Sequence, residues 1–321
     1  TNRLLNAGDT IALGTPIFTP YLEMPHLEDY DLKIVNIQAT QENRWQFDDA
    51  ELDKLLDPKI KAFFLVNPGN PSAVALSAKT IAKIGAILKK RPDLILLTDD
   101  VYGTFVPGFR SLLGAFPYNT IGVYSYSKYF GCTGWRLGVI AVHEDNLFDK
   151  LIAQHPEPTL KKLDKRYSAL TLEPRKLRFI DRIVADSRDV ALNHTAGLSL
   201  PQQVMMALFS LYELMDTKKH YQKACIGIVK KRVEATLEGL GIEVAPNELY
   251  DYYYGLIDLE FWARKYVGED VVTWMKENVH PLDFVFRLAE DHGIVLLNGS
   301  GFEAPDWSVR VSFANLNDHV Y

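Results

Sequence analysis

The chain has 321 residues, 47% of them hydrophobic and 24% charged, the composition of a globular protein long enough for one large α/β domain and a smaller one. A net charge of −6 argues against nucleic acid or an anionic membrane as the main partner, and leaves open a small anionic substrate held by local arginines. No repeat of fixed period suggests a solenoid, no apolar stretch reaches the roughly 18 residues of a membrane span, and the only cysteines are Cys132 and Cys225. Both read as small buried apolar residues, so no disulfide framework is expected and a reducing cytoplasm is the expected compartment. There Asn193-His194-Thr195, although it fits a glycosylation sequon, carries no meaning.

In chain order, residues 9–14 read as a strand and Gly14-Thr15-Pro16-Ile17-Phe18-Thr19-Pro20-Tyr21 as the loop after it. Residues 32–37 alternate with period two, as a strand does, and 48–56 have helical spacing with acidic residues in the first turn. The apolar run 62–66 ends in Asn67-Pro68-Gly69-Asn70-Pro71-Ser72; Ser77 can then cap a helix to about Lys90, which Arg91-Pro92-Asp93 stops. The run 94–97 ends in Asp99-Asp100-Val101-Tyr102, and 120–124 ends in Ser125-Tyr126-Ser127-Lys128, with Arg136 eight positions further on. This alternation through residue 142 predicts an α/β fold with a mostly parallel, doubly wound sheet. Each polar cluster sits at the carboxyl end of a buried parallel strand, where open α/β sheets bind ligands, so three strand ends converge on one crevice.

Residues 155–190 are rich in charge and helically spaced through Leu160, Leu163, Tyr167 and Leu170. They are expected to form a solvated helical insertion, with a subunit contact as the alternative. Leu200-Pro201 then opens a helical segment running to about Leu237, closed by Gly239-Leu240-Gly241. Strand candidates at 252–259, 294–297 and 308–313, with helices between, complete a smaller α+β domain. The expected boundary lies between 215 and 216.

Lys128 carries the chemistry. A lone lysine ordinarily belongs to the surface, but one just past an apolar strand, with hydroxyls before it and an arginine beyond, suits an imine-forming amine beside a phosphate site. That is the description of a pyridoxal phosphate pocket.

The Asn-Pro pair at 70–71, Asp99-x-x-Tyr102, Ser125-x-Ser127-Lys128, Arg136, and Val309-Arg310-Val311-Ser312-Phe313-Ala314 resemble, in order and spacing, the class I/II aminotransferases of fold type I. The resemblance covers nearly the whole chain. It implies a pyridoxal phosphate cofactor bound through Lys128, with Asp99 keeping the pyridine nitrogen protonated. Asn70 and Tyr102 would hydrogen-bond the ring oxygen and Phe18 stack on the ring, while Ser125, Ser127 and Arg136 anchor the phosphate. Arg310, with Asn70, would take the substrate α-carboxylate, and Lys128, Asp99 and Tyr102 would form the catalytic group. Asp100 is expected to be structural. Two departures from the pattern are Asn70-Pro71-Ser72-Ala73 for the usual Asn-Pro-Thr-Gly, and Asn298-Gly299-Ser300-Gly301-Phe302 for the commoner Pro-Gly turn.

Residues 97–105, 124–135, 197–204 and 308–316 further resemble the subgroup that removes the side-chain carboxylate of aspartate, giving alanine and CO2 with transamination as a side activity. An ordinary class I aminotransferase is the alternative within the family. Amino acids and 2-oxo acids are the partners implied, in a homo-oligomer built from dimers, with neither nucleic acid nor membrane. Against the family, the chain lacks the start of the small domain, the first strand and helix of the large domain and the glycine-rich phosphate turn, and it reads as a fragment. A non-catalytic cofactor-binding effector domain of a transcription regulator is the reading from another class; the full set of catalytic groups favours an enzyme. Ser125-Tyr126-Ser127-Lys128 is also an S-x-x-K sequence, but the Ser-Asp-Asn and Lys-Thr-Gly companions of serine penicillin-binding enzymes are absent. No G-x-G-x-x-G follows the first strand, and neither H-E-x-x-H nor C-x-x-C suggests a metal.

Overall fold

The computed structural model describes residues 3–27, 30–190, 198–243 and 246–321, with the side chains of 189 and 190 outside the description. Asn193-His194-Thr195 lies outside the described residues. The first sheet contains β1 (Thr10–Thr15), β2 (Lys33–Gln38), β3 (Ile60–Val66), β4 (Ile95–Asp99), β5 (Thr120–Ser125) and β6 (Gly138–Ala141) in the order β2-β1-β3-β4-β5-β6. All pairs are parallel except β5–β6, which is antiparallel. The mostly parallel, doubly wound sheet expected from the sequence is therefore present.

Alternation along these strands separates two cores. Ile11, Leu13, Ala62, Phe64, Ile95 and Ile121 point to one face; Ala12, Ile37, Phe63, Leu65 and Leu96 point to the other. The second face is covered by α2 (Asp49–Asp53), α3 (Ala78–Lys90) and α4 (Leu112–Ala115), after the short α1 (Thr19–Glu23). Ser77 Oγ accepts from the Thr80 amide and caps α3 as its position predicts. Arg91, just past the helix, donates to the Leu55, Asp57 and Ile60 carbonyls and so ties the end of α3 to the entry of β3.

The first face is covered by α5 (Leu147–Ala153), α6 (Glu157–Tyr167) and α7 (Phe179–Val190). This corrects the expectation of a solvated insertion at 155–190. Its helices form, but Leu163, Tyr167, Phe179 and Ala185 are buried against Ile11, Phe64 and Phe148, while Leu170 is exposed. Arg3 and Arg166 both pair with Asp186 at 2.7 Å and fasten the insertion to the start of the chain.

The single helix expected from Leu200 to Leu237 is two, α8 (Leu200–Met215) and α9 (His220–Gly239). At the break Lys219 adopts a left-handed φ of 55° and the Asp216 carboxylate accepts from the Tyr221 amide at 2.8 Å, replacing the helical partner that this amide loses. Beyond α9 come β7 (Tyr254–Asp258), α10 (Leu259–Tyr266), α11 (Glu269–Asn278), α12 (Pro281–His292), β8 (Leu297–Asn298) and β9 (Ser308–Ser312), the three strands forming an antiparallel sheet in the order β7-β9-β8. The strand expected at 294–297 is reduced to these two residues. A two-domain division at 215/216 is a proposal, supported by the helix break and by the confinement of each sheet to one side of it. No described helix is long and apolar enough to cross a membrane.

Candidate active site

The carboxyl ends of β1, β3, β4 and β5 face the second sheet, and each supplies part of one crevice. The β3 end gives Asn70, which is buried; its Oδ1 accepts from Arg310 Nη1 at 3.0 Å and its Nδ2 lies 3.5 Å from the Tyr102 hydroxyl. Residues separated by 240 positions thus meet, and three of the candidates form one connected group.

The β4 end gives Asp99. Its Oδ2 accepts from the Tyr21 hydroxyl at 3.1 Å and its Oδ1 from the Val101 amide at 3.2 Å. Burial pushes this carboxyl above its usual range, against the lowering effects of Tyr21, Val101 and the nearby Lys128 charge. Tyr21 was not foreseen as a site residue. Its only sequence signal is a place three residues after Phe18, in the loop that follows β1. Removing its hydroxyl in Tyr21→Phe leaves Asp99 only a backbone donor, and a hydrogen bond to a charged group contributes about 1.5–3 kcal/mol. Turnover is expected to fall roughly tenfold or more; unchanged turnover would show that Val101 holds Asp99 alone.

Asp100 points elsewhere: Oδ1 accepts from Thr98 Oγ1 at 2.6 Å and Ser111 lies beside it. Burial raises its carboxyl to about 6, with the neighbouring Asp99 adding to the effect. A carboxyl raised on folding binds more protons in the native than in the unfolded chain, so its contribution to stability falls as pH rises from about 4 to 6. Asp100→Asn keeps the acceptor for Thr98 and should be the more stable protein above pH 6, by on the order of 2 kcal/mol, with the advantage fading towards pH 4. Denaturant unfolding at several pH values measures this. An advantage independent of pH would contradict it.

The β5 end gives Ser125, Ser127 and Lys128. Ser125 Oγ donates to Ser127 Oγ at 2.9 Å and accepts from the Ser127 amide at 3.2 Å, so the two hydroxyls lie side by side. The Lys128 amine makes no hydrogen bond or ion pair among the described residues and stands 5.6 Å from the Tyr253 ring centroid. Its loop is held from behind by aromatic packing. Phe130 stacks on Phe209 of α8 at 4.7 Å, Tyr126 bonds Ser210, and Tyr129 bonds Glu213. Arg136 is brought to the same side of the sheet but not into contact with the serines: it is exposed, with a left-handed φ of 55°, and Nη1 donates to the Thr133 carbonyl.

The β1 loop gives Phe18, which is 39% exposed and meets Tyr21 edge-on at 6.4 Å. The Ile17 amide donates to the Phe302 carbonyl and Thr19 Oγ1 to that of Gly301, tying this loop to the turn 298–302. Arg310 on β9 lies 4.3 Å from the Tyr254 ring centroid and 4.7 Å from that of Phe302, with Nε buried and unpartnered. Tyr254 also accepts a hydrogen bond from Tyr102 at 3.1 Å. Tyr253, Tyr254 and Phe302 were, like Tyr21, not foreseen. The run Tyr252-Tyr253-Tyr254 reads as strand, but nothing local says which ring reaches an arginine 56 positions away.

A lysine amine with no hydrogen bond among the described residues near a half-buried carboxylate, a pair of adjacent hydroxyls and a buried arginine nitrogen awaiting an acceptor together fit a phosphorylated pyridine aldehyde and an amino-acid carboxylate. No cluster of metal ligands occurs among the described residues.

Comparison with known proteins agrees. The chain is 51% identical over 319 residues to a bifunctional aspartate aminotransferase and L-aspartate beta-decarboxylase of a Pseudomonas species, covering 99% of this chain and 60% of that relative. The aspartate aminotransferase of Sulfurisphaera tokodaii is 23% identical, covering 98% of this chain and 67% of its own. Among solved structures, a double mutant of Thermus thermophilus aspartate aminotransferase superposes with a TM-score of 0.69 at 17% identity, covering 99% of this chain and 68% of that one. Alanine aminotransferase from Pyrococcus furiosus gives 0.69 at 19% identity, over 99% and 69%. The sequence profile of aminotransferase class I and II matches residues 2–321, and the chain belongs to that family.

Proposed function

We propose that the protein carries out pyridoxal phosphate-dependent β-decarboxylation of L-aspartate to L-alanine and CO2, with aspartate transamination as a side activity. The observation that carries this is the 51% identity, over 99% of the chain, to a relative named for both activities. The chain spans about 60% of that relative's length, so the reading concerns the intact protein. The family works with pyridoxal phosphate, which when bound supplies an electron sink for charge developing at the substrate Cα.

The chain's own residues then have separable tasks. Lys128 would hold the cofactor through its amine, and the same amine can move the proton at the substrate Cα as base and acid. Asp99, steadied by Tyr21, would pair with the pyridine nitrogen. Asn70 and Tyr102 would donate to the ring oxygen, and Phe18 would cover a ring face. Ser125, Ser127 and Arg136 would take the phosphate. Arg310 takes the α-carboxylate, a role supported by its unpartnered Nε and by the Asn70 oxygen on Nη1, which together aim the guanidinium fork.

A homo-oligomer is supported by the uncovered face of α8, where Leu214 is 78% and Met215 71% exposed and Leu208 and Leu211 are exposed beside them. A reducing cytoplasm is supported by Cys132 and Cys225, both unpaired. The test is a product assay on the intact protein with pyridoxal phosphate and aspartate. Alanine and CO2 in excess of oxaloacetate are expected. Oxaloacetate without alanine would reduce the reading to an ordinary aminotransferase, and neither product would favour a binding domain.

A further inference from the structure

Tyr254 touches both halves of the crevice. It opens β7, whose Leu256 is paired in register with Arg310, so Tyr254 lies on the same sheet face one diagonal step away. That step brings the Arg310 guanidinium over its ring at 4.3 Å, a contact of substantial strength once shielded from water. Its hydroxyl meanwhile accepts the hydrogen of Tyr102 at 3.1 Å, and both phenols are buried. The ring has little freedom to do otherwise. Asp251, wholly buried, accepts from the Tyr253 amide at 2.7 Å and donates its own amide to the Ala73 carbonyl, while Tyr252 sits at a left-handed φ of 59°. The turn ahead of Tyr254 is therefore pinned to the segment that carries Asn70.

We infer that Tyr254 is a positioning residue shared by the carboxylate arginine and the phenol beside it: its ring seats Arg310, and its hydroxyl competes for the one hydrogen of Tyr102. This rests on the reading given under Proposed function and extends it. A phenol has a single hydrogen. While Tyr102 gives it to Tyr254, it is withheld from any acceptor in the crevice. A cofactor ring oxygen there shares Tyr102 with Tyr254, and the two functions of Tyr254 separate by mutation.

Tyr254→Phe keeps the ring and deletes the competing acceptor. With pyridoxal phosphate bound, the pH titration of the cofactor absorbance is expected to move down by about one unit, because the ring-oxygen anion then has Tyr102 to itself. Succinate affinity, measured by calorimetry, should stay within about twofold. Tyr254→Leu removes the ring as well and should weaken succinate binding about tenfold; if the leucine variant fails to fold, Tyr254→Met replaces it. A titration in Tyr254→Phe at or above the wild-type pH, or wild-type succinate affinity without the ring, overturns the inference. Borohydride reduction of each protein separates the two levels. No pyridoxyl group on Lys128 of the wild type sinks the functional reading and this one with it, whereas a labelled Lys128 with an unmoved titration sinks the Tyr254 inference alone.

Discussion

Lys128→Ala is expected to lower aspartate turnover by about four powers of ten, the full contribution of a positioned acid–base group, and to leave stability almost unchanged. The two halves of this expectation have separate causes. The amine makes no hydrogen bond or ion pair among the described residues; its loss removes only a contact 5.6 Å from the Tyr253 ring centroid and a charge near Asp99. The loop that carries it is held by other residues: Phe130 is stacked on Phe209 and Tyr221, the Tyr126 hydroxyl is 2.9 Å from Ser210, and Tyr221 donates to the Tyr129 carbonyl. Removing a side chain on which the fold leans so little therefore costs mainly activity. Lys128→Arg should be equally inactive, since a guanidinium keeps the charge but supplies no amine for an imine. Alanine formation and denaturant unfolding measure the two effects. Borohydride reduction followed by peptide mapping gives an independent check, with the pyridoxyl group expected on Lys128 of the wild type and absent from the variant. Label on another lysine, or turnover within tenfold of wild type, would remove Lys128 from its role.

Much of this site was legible because its parts sit at strand ends. The runs 62–66, 94–97 and 120–124 are short, apolar and closed by polar clusters, so the strands, their buried character and the side of the sheet bearing the chemistry all followed from local pattern. Asn70, Asp99, Tyr102 and Lys128 lie at or just past those strand ends, and the roles given to them are proposals. What escaped depends on segments that meet only in three dimensions. Tyr21 reaches Asp99 across 78 positions, and Tyr254 reaches Tyr102 across 152. Nothing in either neighbourhood distinguishes such a tyrosine from one in the core. The break between α8 and α9 was hidden for a different reason. Asp216-Thr217-Lys218-Lys219 contains neither Gly nor Pro, and the turn depends on one aspartate capping a later amide. The insertion at 155–190 was misread because its charge is conspicuous while the four apolar side chains it buries are spread over two helices.

Asp99→Ala should lose two to three powers of ten in turnover while still allowing the cofactor to bind, the pattern expected when a preorganised charge facing the reacting system is removed. Asp99 sits at the last residue of β4, where its neighbours compete over its protonation. Burial favours the neutral acid, whereas the Tyr21 hydroxyl, the Val101 amide and the Lys128 charge favour the carboxylate. A protonated pyridine nitrogen, were the proposed cofactor bound beside Asp99, would tip the balance towards the charged form. Asp99→Asn keeps the shape and the acceptor for Tyr21 but cannot carry the charge, so it should resemble Asp99→Ala in turnover and the wild type in stability. Asp99→Glu retains charge and should recover part of the activity. Adjacent Asp100 supplies the control: bonded to Thr98 and with Ser111 beside it, its asparagine variant should turn over aspartate at close to the wild-type rate. If Asp99→Asn remained active and Asp100→Asn did not, the two neighbours would have to exchange roles.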